Sequence, residues 1–269
     1  MKVARMPLVA LWLIGLAAAS LGAAQIDHMV RAHQYGELSP ICRVSTTRQV
    51  VALSFDDGPD PSYTPEVVSL LRRYQDRATF FLVGQEAKTY PKIVRLERSA
   101  GMEIGNHTWS HPDLPDLSLQ RVTSEIARTQ HLLTEDGNQV DLVRSPYGEI
   151  TPAELSTIEH MGLTTVHWSL ALDHYVGGLS MSPSEAAAAL ARDARPGDII
   201  LAHDARLLPG DGGGGGARQT AMQALRLLLP ALQRRGFAVI PVGELLREGS
   251  VVRDTPRPWF WESGFTCPR

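Results

Sequence analysis

Apolar and β-branched runs alternate with helical periodicities through most of the chain. The run QVVALSF (49–55) precedes TPEVVSLLRRYQ (64–75), where apolar residues recur at three- and four-residue spacing. RATFFLV (77–83) is followed by a helical stretch through PKIVRLERSAG (91–101). MEIG (102–105) precedes SLQRVTSEIARTQHLLTEDG (118–137), which Gly137 can end. VDLV (140–143) leads to a helix that Thr151 can cap with Pro152 in its first turn, and LTTVHWSLAL (163–172) to one opening at Ser182-Pro183. DIILAH (198–203) leads to RQTAMQALRLLLPALQRRG (218–236), and FAVIPV (237–242) closes the series before GELLRE. Seven such strand–helix repeats predict parallel βα units and an incomplete barrel close to the (β/α)8 type. An open doubly wound sheet is the alternative, but its Gly-rich phosphate turn is missing. The run Gly212–Gly216 follows no strand directly and lacks that spacing, so it reads as a floppy insertion.

Polar residues gather where the runs end. FDD follows the first, NHTWSH (106–111) the third, RSPYG (144–148) the fourth, DHY (173–175) the fifth and HD (203–204) the sixth. Parallel α/β folds collect their reactive groups at the carboxyl ends of the strands, so these clusters predict one shared site. In LSFDDGP (53–59), Asp56 and Asp57 repel each other unless a positive group holds them. Consecutive strand residues also point oppositely, so the turn at Gly58-Pro59 has to re-aim one of them.

His107 and His111 are four apart, which would place them on one face of a helix. Pro112 biases His111 away from helical geometry, so a ligand loop after the strand fits better. Two imidazoles and one carboxylate leave a fourth position for water, the pattern of a catalytic rather than a structural zinc. One aspartate then ligates the cation and the other is left to take a proton.

Composition narrows the setting. The chain has 269 residues, 43% of them hydrophobic, and a formal charge of −3, which gives no basis for nucleic-acid binding or a polybasic membrane patch. Residues 1–24 read as an export signal: Lys2 and Arg5 precede an apolar run that ends in the small residues Gly22-Ala23-Ala24. An uncleaved anchor is the alternative. Cleavage leaves 24 positive and 29 negative residues, a net −5. In an oxidising compartment Cys42 and Cys267 most simply pair, tying the two ends of the domain together; two unrelated thiols are the alternative.

The set SFDDGP, HTWSH, RSPYG and ILAHD, in this order, resembles the polysaccharide deacetylases of carbohydrate esterase family 4, the NodB homology domain. The resemblance covers roughly residues 48–247, flanked by an N-terminal extension (25–47) and a C-terminal tail (248–269). It implies a metal-dependent deacetylase on a distorted (β/α)7 barrel in a single domain. By position, Asp56 would be the catalytic base, and Asp57 would ligate the metal beside His107 and His111. Arg144 would hold the base, the backbone N–H of Tyr147 would help form the oxyanion hole, and His203 would be the general acid. Leu201 would line the acetyl-methyl pocket, with Pro146 and Trp109 also assigned to the substrate wall. Zn²⁺ is the implied cofactor, with Co²⁺ or another divalent metal as substitutes.

The chain departs from the family after the fifth strand, which usually carries Trp-x-x-Asp-x-x-Asp-Trp. Here WSLALDHY puts Ala171 and His174 at the aspartate positions and Tyr175 at the tryptophan. Asp173 lies one residue off, where it either tunes His203 or is merely a turn residue. His167 and Trp168 read as core, and the aromatic tail PRPWFWESGF (256–265) as a cap on the barrel rather than a sugar platform. The expected function is removal of N-acetyl groups from N-acetylglucosamine-containing glycans, peptidoglycan or chitin-type oligomers, by an exported, periplasmic or extracellular monomer. O-deacetylation of acetylated xylan is the rival reaction, and an inactive carbohydrate-binding envelope protein is the rival class.

Overall fold

The computed structural model describes residues 39–205, 215–254 and 267–268. The expected export signal, the start of the glycine run and the aromatic tail at 256–265 lie outside them. Eight parallel strands form one curled sheet: β2 (Val50–Asp56), β3 (Thr79–Leu82), β4 (Glu103–Asn106), β5 (Leu142–Val143), β6 (Thr164–Thr165), β7 (Leu170–Ala171), β8 (Ile199–His203) and β9 (Ala238–Ile240). Their spatial order is β6-β5-β4-β3-β2-β8-β7, with β9 paired to the first three residues of β2. No ladder joins β6 to β7, so the sheet curls without closing and the distorted barrel stays open on that side.

Strand β2 is buried along its whole length, hence its near-continuous apolar run. Its odd residues, Val51, Leu53 and Phe55, pack against the surrounding helices. Val50 and Ala52 face the interior with Phe81, Leu142, Val166 and Ile199. The period-two pleat carries that interior column on through Ser54 to Asp56. Register then places Asp56 opposite His203 of β8 and Phe81 of β3.

The helices are α1 (Thr64–Tyr74), α2 (Gly84–Thr89), α3 (Pro91–Ser99), α4 (Leu119–Thr134), α5 (Pro152–His160), α6 (Pro183–Asp193), α7 (Gly215–Arg234) and α8 (Val242–Leu245). The second helical stretch divides at Tyr90-Pro91, because Pro91 has no N–H to continue α2. The cap expected at Thr151 forms, its N–H donating to Glu154 Oε2 at 2.7 Å. The last two residues of the glycine run, Gly215 and Gly216, already belong to α7.

Two departures from the pattern shape the barrel. The single strand expected over 163–172 is two short strands, β6 and β7, flanking the opening. There the His167 N–H donates to the Ile41 carbonyl at 2.7 Å and the Ser169 N–H to Ile199 at 2.9 Å, so the chain crosses the gap on partners from elsewhere. Ile41 belongs to β1 (Ile41–Ser45), which pairs antiparallel with β10 (Ser250–Arg253) in a ribbon that the periodicity did not predict. Cys42 and Cys267 form a disulfide with Cα atoms 5.8 Å apart, as expected. They are 225 residues apart in sequence, and a loop of that length corresponds to about 4–5 kcal/mol of stabilisation in chain-entropy terms.

Candidate active site

At the carboxyl ends of the strands lies a cavity of about 310 Å³, lined by Asp56, Asp57, His107, His111, Leu201 and His203 among others. Asp56 completes the interior column of β2. Asp57 would face away on a continuing strand, but its φ of 75° turns it back into the cavity. The re-aiming therefore begins one residue before Gly58-Pro59, a cost short polar Asp tolerates. Asp204 closes this turn from below: Thr64 Oγ1 donates to its Oδ2, and a Cβ on Gly58 would lie 2.6 Å from its Oδ1. Burial pushes the Asp204 carboxyl up to about 7.

The two histidines sit on an irregular loop after β4, as the proline predicted. Buried Asn106 shapes it, accepting from Thr108 N–H at 3.0 Å and donating to Ile126 C=O at 3.0 Å. Glu125 of α4 accepts from the N–H groups of Trp109 and Ser110, and Thr108 Oγ1 from that of His111. Thr108 and His111 adopt φ of 66° and 57° and Tyr147 φ of 60°, strained values that cluster at the cavity.

One oxygen of Asp57 lies 3.4 Å from His107 Nε2 and 3.2 Å from His111 Nε2. The three donor atoms fall within 4.8 Å of one another, close enough to share one ion. His107 Nδ1 is 2.8 Å from the Arg144 carbonyl. A carbonyl only accepts, so Nδ1 carries the proton and the Nε2 lone pair faces the cluster, as ligation requires. Burial opposes the charge on Asp57, but His203, His107 and His111 together hold its carboxyl well below the usual range. Burial likewise works against protonated His107, yet Asp56 and Asp57 push its pKa up. A buried carboxylate and two imidazoles whose Nε2 atoms converge on it fit a divalent cation of the zinc type.

Arg144 is fully buried. Its Nη1 donates to Ser54 Oγ and Asp56 Oδ1, both at 2.8 Å, Nη2 to the His167 carbonyl at 2.9 Å and Nε to that of Val166 at 3.2 Å. The guanidinium also lies 4.2 Å from the Phe81 ring. One oxygen of Asp56 is thereby fixed, while the other stays 3.9 Å from His107 Nε2. Across the cavity, His203 Nδ1 meets Asp173 Oδ2 at 2.7 Å. Burial opposes its charge, but Asp173 and Asp57 push the His203 pKa up to about 9, against a smaller opposing push from Arg218.

Tyr147 is half exposed at the mouth, its ring 4.7 Å from that of His111. Two residues assigned to the substrate wall are elsewhere. Trp109 is buried but turned away from the cavity: its ring packs against Gly84 and under Arg128, the latter at 4.1 Å. Pro146 is buried at the start of the 3-10 turn Pro146–Gly148 and does not line the cavity. In their place stand Trp168, Gly148 and Arg218. Trp168 packs on the interior core and forms a wall; a Cβ on Gly148 would come within 2.7 Å of its ring.

The sequence profile described as polysaccharide deacetylase matches residues 43–166. A peptidoglycan-N-acetylglucosamine deacetylase of Bacillus cereus is 33% identical over 204 residues, spanning 76% of this chain and 91% of that protein. The chain belongs to the polysaccharide deacetylase family. A chitooligosaccharide deacetylase of Azorhizobium caulinodans is 37% identical over 213 residues, covering 76% of this chain and 98% of that one. Among solved structures, a peptidoglycan N-acetylglucosamine deacetylase superposes with a TM-score of 0.70 at 27% identity, over 80% of this chain and 97% of that one. The polysaccharide deacetylase fold accounts for the curled parallel sheet, and the family's divalent-metal dependence matches the Asp57, His107 and His111 cluster.

Proposed function

We propose that the protein hydrolyses N-acetyl groups of N-acetylglucosamine-containing polysaccharide, peptidoglycan or chitin-type oligomers, using Zn²⁺ or a substitute such as Co²⁺. The reading is carried by the convergence of three ligand atoms within 4.8 Å in a cavity also lined by Asp56 and His203. When bound at Asp57, His107 and His111, such a cation supplies Lewis-acid polarisation of the acetyl carbonyl and makes water acidic enough to lose a proton near neutrality.

The protein's own groups do the rest. Asp56 takes the proton of the attacking water on Oδ2, because Arg144 occupies Oδ1. The backbone N–H of Tyr147 donates to the developing oxyanion, a contribution of about 3–4 kcal/mol for one such donor. His203 gives its Nε2 proton to the departing amine, since Asp173 engages Nδ1. Asp57 would contribute less to the raised His203 pKa once its charge is shared with a cation, bringing the imidazole toward the range where a general acid works best. Leu201 and Trp168 offer the apolar wall for the acetyl methyl.

Residues 48–247 would form the catalytic domain. Export to the periplasm or beyond follows from the leader at 1–24 and agrees with a disulfide, which persists in oxidising compartments. Among the described residues no helix is long and apolar enough to cross a membrane.

Acetate release from chitooligosaccharides, peptidoglycan and acetylated xylan tests the reading. Release from the first two, and faster than from xylan, is expected. Release from xylan alone would make the protein an O-deacetylase, and glycan binding without any acetate would make it a binding protein.

A further inference from the structure

The family's two-aspartate and tryptophan pattern is broken in this chain, and the structure shows what stands around the gap. Ala171 ends β7, paired with Leu201. Tyr175 turns toward the outer helices, where its hydroxyl donates to Asp193 Oδ2 at 2.9 Å and its ring joins the outer core. Asp173, just before the π-helical turn His174–Gly178, is the carboxylate that reaches His203. Its side chain is 37% exposed, so one contact to His203 would leave it free to rotate.

A second contact removes that freedom. Arg218 Nη1 donates to Asp173 Oδ1 at 3.3 Å, while Oδ2 meets His203 Nδ1 at 2.7 Å. Each carboxylate oxygen then has its own partner, one on β8 and one on α7. The Arg218 side chain is only 3% exposed and lines the cavity, and its Nε has no hydrogen-bond partner. Asp173 is its ion-pair partner among the described residues. A buried guanidinium is costly without such a partner. It also stands in the first turn of α7, where a cation opposes the helix's own field. Neither burial nor helix stability explains an arginine at this position.

We propose that Arg218 is a positioning residue for the general acid, clamping Asp173 so that His203 keeps its Nδ1 proton and aims Nε2 at the leaving amine. The proposal rests on the hydrolysis of N-acetyl groups proposed above. Arg218 thus supplies, from a distant helix, the rigidity missing from the segment after β7. The charged groups facing His203 are Asp173, Asp57, Arg218 and, opposite it in register, Asp56; Arg218 also tempers the upward push of Asp173 and Asp57.

An amide and an activated ester separate this role from a structural one. The amine of an N-acetyl group must be protonated to leave, whereas 4-nitrophenolate departs without an acid. Arg218→Ala is expected to lower kcat on chitooligosaccharide roughly 10–100-fold, and to lower the ratio of amide to 4-nitrophenyl acetate turnover by a similar factor. Arg218→Lys should recover part of that ratio. Adding Arg218→Ala to Asp173→Asn should cost little beyond Asp173→Asn alone, because the two residues act as one unit. Equal loss on both substrates, no loss on either, or additive effects in the double variant would overturn the proposal. If Arg218→Ala does not fold, the ratio measured for Arg218→Gln decides in the same way. Wild-type protein that cleaves the aryl ester but no glycan amide would instead overturn the proposed function.

Discussion

Asp56→Asn is expected to keep its metal and to lose about 10²–10⁴-fold in kcat, the usual share of a general base. The side chain keeps its shape and can still accept from Arg144 Nη1, the contact that is 2.8 Å in the wild type. What it loses is the ability to take a proton on the oxygen near His107. His107→Ala should behave differently. It removes one of the three donor atoms that lie within 4.8 Å of one another, so bound metal per chain should fall along with turnover. Elemental analysis of both purified variants, beside their rates of acetate release, separates the two roles. Metal loss in Asp56→Asn would contradict the assignment of Asp57 as the ligand and Asp56 as the base.

Arg144→Met is expected to lower the unfolding free energy by about 3–5 kcal/mol, the range for removing one partner of a buried ion pair. The substitution fills similar space but leaves the Asp56 carboxylate without its cation. It also strips a donor from Ser54 and from the carbonyls of Val166 and His167. Those carbonyls lie where the chain crosses between β6 and β7, so the barrel opening and the base should loosen together. Chemical denaturation measures the first effect and kcat on chitooligosaccharide the second. An unchanged unfolding midpoint would show that Arg144 does not hold these elements together.

Local chemistry made much of this site readable in advance. Pro112 after His111 favoured a loop over a helical pair, and the paired aspartates called for a positive group nearby. Alternation along β2 was enough to send Asp56 inward. The misread parts depend on contacts distant in sequence. Residues 163–172 read as one strand because their apolar pattern is unbroken, yet Ile41, more than a hundred residues earlier, takes the His167 N–H and splits them. Trp109 stands between His107 and His111 in sequence, but the chain turns at Thr108, where φ is 66°, and its ring packs away from the cavity. Asp173 reaches His203 from a backbone that has already left extended geometry, at φ −64° and ψ −25°, so strand alternation does not foretell its direction. Arg218 gave only a faint sign, a cation in the first turn of a helix. Its partner lies 45 residues away, in another element.

One measurement reaches the centre of the account: acetate release from chitooligosaccharide by metal-stripped protein as Zn²⁺ is added back. A single cation shared by Asp57, His107 and His111 predicts negligible release before addition and activity that saturates near one equivalent per chain. Undiminished activity after stripping, or an identical titration curve for His107→Ala, would contradict it.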